Sequence, residues 1–108
     1  MKKLTIFCIL SLLIFFSGCL SAEEKGSAEE YCELFCLASL QQEEDISNGP
    51  CLSDDNPEWE YPDWVCDVAH NPREDVDNLP ENQCQKYING NAHHFVEVDT
   101  NCKRIRST

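Results

Sequence analysis

The chain has 108 residues, with 20 acidic against 8 basic side chains and a net charge of −12 at pH 7. Such an imbalance repels phosphate backbones and anionic lipid headgroups, which excludes nucleic acid as a partner and excludes charge as a means of holding a membrane. The length allows one small domain, and eight cysteines within it point to an oxidising compartment.

Lys2 and Lys3 give a positive start, and Leu4 to Phe16 is an apolar run broken only by Thr5 and Ser11. A membrane-spanning helix needs roughly 20 apolar residues, so this shorter run reads as the apolar region of a cleaved export signal. Small residues, Ser17 and Gly18, follow at once, and after Cys19 the chain turns acidic.

The boundary "FSGC", Phe16 to Cys19, resembles the lipoprotein signals of bacteria and some archaea. Phe16 stands where that family prefers leucine. The resemblance covers Met1 to Cys19 and implies cleavage before Cys19, with lipid attached to its sulfur. Residues 1–18 are then a signal peptide, and 19–27 the lipidated cysteine and a short polar tether. Residues 28–108 form a single extracytoplasmic domain held at the cell membrane by the lipid.

Cysteine parity agrees with a consumed Cys19. Cys8 leaves with the signal, and if Cys19 is used, Cys32, Cys36, Cys51, Cys66, Cys84 and Cys102 form an even set. Ordinary secretion with cleavage after Cys19 leaves the same six, and an uncleaved anchor is the third reading. Removing the first 18 of 108 residues leaves 90, and losing Lys2 and Lys3 takes the charge from −12 to −14. A core that small commonly needs staples, and three disulfides would supply them.

"SAEE" from Ser27 is a capping box, with Ser27 accepting from the Glu30 amide and Glu30 reaching back. Tyr31, Leu34, Phe35 and Ala38 follow at helical spacing and are expected to face the core, with the helix fading near Gln42. Cys32 and Cys36 lie one turn apart, badly directed to bond each other. Both are expected to cross to the following proline-rich segment or to a second helix. Six cysteines permit 15 pairings, and the sequence does not choose among them.

Residues 50–80 carry five prolines and many acids. Trp59, Tyr61, Trp64, Val65 and Val68 argue that the stretch is ordered all the same, as an irregular, stapled segment over the helix. A second, short helix is expected from Pro80 to about Ile88, with proline in its first turn and Asn89–Gly90 as its stop. "HHFVEVD" alternates as a strand, with His94, Val96 and Val98 on one side and His93, Phe95 and Glu97 on the other. A turn at Asp99 to Asn101 then precedes an edge strand from Lys103 to Arg106. The expected fold is a small disulfide-rich α+β domain with two short helices, a two-stranded antiparallel sheet and much irregular structure.

Candidates for chemistry are few. His70, His93 and His94 with Asp63, Asp67, Asp75, Asp77, Glu97 or Asp99 offer metal-ligand types; His70, His93 and Asp67 are the best of them. No His-Glu-x-x-His, EF-hand or paired-cysteine spacing organises them, so no metal or other cofactor is expected. Ser53, Asp54, Asp55 and His70 lack the glycine-lined turn that exposes a nucleophile. Trp59, Tyr61 and Trp64 form either a core cluster or a surface platform for a protein or glycan. The sequence therefore reads as a non-enzymatic, lipid-anchored envelope protein with a binding or structural role. A metal-dependent enzyme using His70, His93 and nearby carboxylates is the alternative.

Overall fold

A computed structural model describes residues 27–108; the expected export signal and the expected lipid attachment at Cys19 lie outside the described residues. Helix α1 (Ala28–Gln41) begins where Ser27, in extended backbone, accepts a 3.1 Å hydrogen bond from the Glu30 amide. Glu29 and Glu30 in the first turn also suit the positive end of the helix dipole. At the other end Glu43 takes a left-handed φ of 63°, which turns the chain out of the helix.

The sheet has three strands in the order β1 (Trp64–Val68), β2 (His94–Val98), β3 (Arg104–Ser107). The antiparallel pair expected at the C-terminal end is β2 with β3. The sheet is nonetheless mixed, because β1 joins β2 in parallel, with Trp64 opposite His94 and Val68 opposite Val98. β1 lies inside the segment expected to be irregular. Its five residues are bounded by proline-containing turns and carry strand-forming side chains. Its partner lies about thirty residues further on, so no local hairpin signal announces the pairing.

Alternation divides the sheet into two faces. Cys66, Val68, Val96 and Val98 point towards α1 and join Cys32, Cys36, Ile46, Leu52 and Cys102 in the main core. Val65 and Phe95 point the other way, towards Cys84, Ala92 and helix α2 (Gln85–Ile88). A β-bulge shifts the register of β3, so that Glu97 pairs with Arg106 and Val98 with Arg104. The two arginines therefore serve opposite faces: Arg104 reaches Glu33 on α1 at 2.7 Å, and Arg106 reaches Glu97 at 3.0 Å.

The buried stripe of α1 differs from the expected one. Ala28, Cys32, Cys36 and Ser39 are buried, whereas Leu34 is 64% exposed and Ala38 is exposed. The helix is turned by one residue, about 100°, because two disulfides draw the cysteine edge into the core. Cys32 bonds Cys66 on β1, as expected for a crossing to the proline-rich segment. Cys36 instead bonds Cys102 beyond β2, one turn further along the helix, and Cys51 bonds Cys84.

The second helix is also broken up. Residues Asp75–Asn78 and Pro80–Asn82 are short 3-10 turns, and only Gln85–Ile88 is α-helical. Gln83 and Cys84 are extended, which lets Cys84 reach Cys51, and Asp54 Oδ2 accepts from the Gln85 amide to cap α2. Gly90, at φ 80°, supplies the left-handed stop. Among the described residues no helix is long and apolar enough to cross a membrane.

Candidate functional site

The face turned away from α1 carries an unusual pair of carboxyl groups. Parallel pairing sets Asp67 of β1 beside Glu97 of β2, and β3 sets Arg106 on the far side of Glu97. Glu97 is buried and fully partnered: Arg73 Nη1 donates to Oε2 at 2.7 Å and Arg106 Nε donates to Oε1 at 3.0 Å. Arg73 is itself fixed, its Nε donating to Asn78 Oδ1 at 2.8 Å. Asp67 is treated differently. Its Oδ1 is sealed from solvent and meets no donor. Burial first, then the neighbouring Glu97 charge, pushes its pKa up to about 8, with Arg73 acting in the opposite sense and Asp77 and Asp54 adding to the rise. At neutral pH Asp67 is mostly a carboxylic acid.

Asp67 lines a hollow of about 240 Å³. Val65, Cys84, Ile88, Phe95 and Tyr87 form its apolar wall, and Tyr87 meets Phe95 edge-on at 5.2 Å between ring centres. Glu97, Arg73 and Arg106 complete the polar side, with the Arg106 guanidinium 5.5 Å from the centre of the Phe95 ring. Apolar walls around a few convergent polar groups, one of them with a displaced pKa, are the usual signature of a ligand site.

No protein family, no curated protein and no solved structure matches this chain. Its function must be read from the geometry.

The histidines do not converge on Asp67. His70 Nδ1 bonds Asp77 Oδ1 at 2.9 Å, while His93 Nδ1 meets Asp63 Oδ1 at 2.6 Å. His93 precedes β2 and His94 opens it; His94 also approaches Asp63, at 3.6 Å, and stacks on Trp64 with ring centres 4.7 Å apart. Among the described residues the one trio of ligand atoms close enough to share a metal is Cys51, Asp54 and Cys84, and its two sulfurs are one disulfide. The aromatic trio is half-buried against the core side. Trp59 Nε1 donates to the carbonyls of Tyr61 and Trp64, and its ring packs on Tyr31 and Phe35. Beside it, Tyr31, Leu34, Phe35 and Ala38 line a groove along α1.

Asp77 is a structural knot. It is buried and accepts from the amides of His70 and Glu74, both at 2.9 Å, besides the His70 ring. Burial alone would raise its pKa; these donors outweigh burial and lower it, and the same contact raises that of His70. Gly49 makes the knot possible, since at φ 73° it packs so closely that a Cβ would lie 2.3 Å from Asp77 Oδ1. Gly49→Ala and Asp77→Ala are each expected to cost about 2–4 kcal/mol, the first by strain and overlap and the second by orphaning buried amides. Urea melts of the oxidised variants measure this, and a loss under about 0.5 kcal/mol, the range of ordinary surface changes, would refute the assignment.

Asp67 and Glu97 are visible in the sequence as metal-ligand types; Arg73 and Arg106 are not singled out there. The available signal was the matched alternation of "WVCDV" and "HFVEV", each placing one acid among apolar residues.

Proposed function

We propose that this chain is a lipid-anchored protein of the cell envelope whose stapled domain binds a small ligand in the hollow beside Asp67. The observation that carries the binding role is a half-buried carboxyl group, Asp67, lining a preformed hollow with an apolar wall. One oxygen of that carboxyl meets no donor, nor does Asp54 Oδ1; a buried polar atom left without a partner costs roughly 1–3 kcal/mol. The reading assigns no reaction. An envelope protein or glycan remains the partner class for the groove and aromatic cluster along α1.

What supports the anchor is the lysine start, the short apolar run and the "FSGC" boundary. Cys32, Cys36, Cys51, Cys66, Cys84 and Cys102 all pair among themselves, so Cys19 is not needed to complete a disulfide among them. Intact mass of protein extracted from membranes is expected to show loss of Met1 to Gly18 and a gain of at least one diacylglycerol. Cys19→Ser protein is expected in the soluble fraction; if it stays as firmly membrane-bound as the parent, the anchor assignment fails.

A further inference from the structure

We infer that the hollow beside Asp67 is a site for a small organic ammonium ion with an apolar body, bound by ion-pairing to Asp67 with the apolar body against Tyr87 and Phe95. This deepens the binding role proposed above and rests on it.

The size comes first. At about 240 Å³ the hollow is smaller than the roughly 300–1,000 Å³ typical of drug-sized ligands. It suits a fragment no larger than an amino-acid side chain with its amine. One wall is aromatic and aliphatic, with Tyr87 39% exposed and Ile88 55% exposed, so an apolar ligand would cover surface that now meets water.

The charge comes from a count of the ionisable groups around Asp67. Glu97 faces it from β2, Asp77 and Arg73 from the segment after β1, Asp54 from the loop before β1, and Arg106 from β3. Three carboxylates thus oppose two guanidiniums, and His70 adds a positive charge behind Asp77 only when protonated. The arginines are already engaged, both by Glu97 and Arg73 also by Asn78 and the Asp77 carbonyl. An entering anion would meet an excess of negative charge and two occupied guanidiniums. With Asp67 ionised, four carboxylates face two guanidiniums, so an ammonium ion offsets part of the excess negative charge that an anion would increase, and aromatic faces attract such cations. The net charge of the chain steers cations towards it as well.

The step balances simply. The Asp67 carboxyl releases its proton to solvent as the ammonium ion enters, and the ion pair replaces the O–H bond. Since Asp67 is mostly protonated below about pH 8, proton release must accompany binding, and affinity must rise with pH until the carboxyl is already ionised.

The test is titration calorimetry of the exported, oxidised protein in non-ionic detergent, with three probes of one shape: phenethylammonium, 2-phenylethanol and phenylacetate. Phenethylammonium is expected to bind at one site, nearly tenfold more tightly at pH 7 than at pH 6, with close to one proton released when buffers of different ionisation enthalpy are compared. Asp67→Asn is expected to weaken that probe at least tenfold and to affect 2-phenylethanol far less. Tyr87→Ala, at a more exposed position, is expected to weaken both. Preferred binding of phenylacetate, or ammonium binding that is independent of pH or unaffected by Asp67→Asn, overturns the cation inference and leaves the hollow a binding site. If no probe binds, both the inference and the binding role fail.

Discussion

Complete reduction of the three disulfides is expected to unfold the domain at room temperature. Closing a loop of 33, 34 or 66 residues restricts the unfolded chain by an amount worth about 4 kcal/mol each in the chain-entropy picture. The loops overlap, so the three effects do not simply add, but their combined size rivals the whole stability of a small domain, about 5–15 kcal/mol. The described core points the same way from the folded side. Cys32, Cys36 and Cys66 are fully buried and Cys84 and Cys102 nearly so, and the remaining large buried side chains are mostly valines. Circular dichroism with and without a phosphine reductant tests this; a reduced protein that keeps a cooperative thermal transition within a few degrees of the oxidised one would show that the core suffices. Among single bridges, replacing Cys36 and Cys102 by alanine is expected to cost the most, since it opens the longest loop.

Asp67→Asn is expected to stabilise the protein. A carboxyl group whose pKa is raised from 3.8 to about 8 in the fold binds its proton more tightly folded than unfolded. Its contribution to stability is therefore full below about pH 4 and is lost progressively as the pH rises to about 8. At pH 8 the penalty is of order 2–5 kcal/mol, since each pKa unit corresponds to about 1.4 kcal/mol. Asparagine keeps the shape and never ionises, so the variant should gain most at pH 8 and little at pH 4. Urea melts of both proteins at the two pH values measure the difference. Equal gains at both would mean that the change acts through packing and not through ionisation. A residue whose replacement stabilises the fold while weakening binding of the proposed ammonium ligand is the pattern expected of a functional group.

Local chemistry was legible in the sequence where neighbours in the chain are neighbours in space. Ser27 caps α1, Gly90 ends α2, and "HFVEV" forms a strand followed by a turn and an edge strand. Interactions across the chain were not legible. β1 was missed because parallel pairing leaves no hairpin mark, and the stripe of α1 was misplaced because the cysteines, counted as staples, also act as its apolar face. A continuous second helix over Pro80 to Ile88 was expected from propensity, but the reach of Cys84 to Cys51 interrupts it. The candidate site shares this cause: Asp67 and Glu97 meet only through the β1–β2 register, and Arg73 and Arg106 arrive from either side of it. The bulge that aims Arg106 at Glu97 has no local sequence signature of its own.

Two half-cystines one turn apart on α1 also shape how the protein matures. Exchanging their partners, to Cys32–Cys102 and Cys36–Cys66, changes the loops from 34 and 66 residues to 70 and 30. Loop entropy separates the two isomers by less than ~0.1 kcal/mol. Discrimination must come from the assembled sheet, which seats Cys66 and Cys102 under different turns of the helix. The parallel pairing of β1 with β2 is a non-local contact and forms slowly. Oxidant acting before that docking would trap the exchanged isomer about as readily as the native one. Recovery then requires thiol–disulfide exchange, over seconds to hours without a catalyst. High yield therefore depends on a disulfide isomerase in the maturing compartment, and an oxidant alone should deliver a mixture of scrambled species.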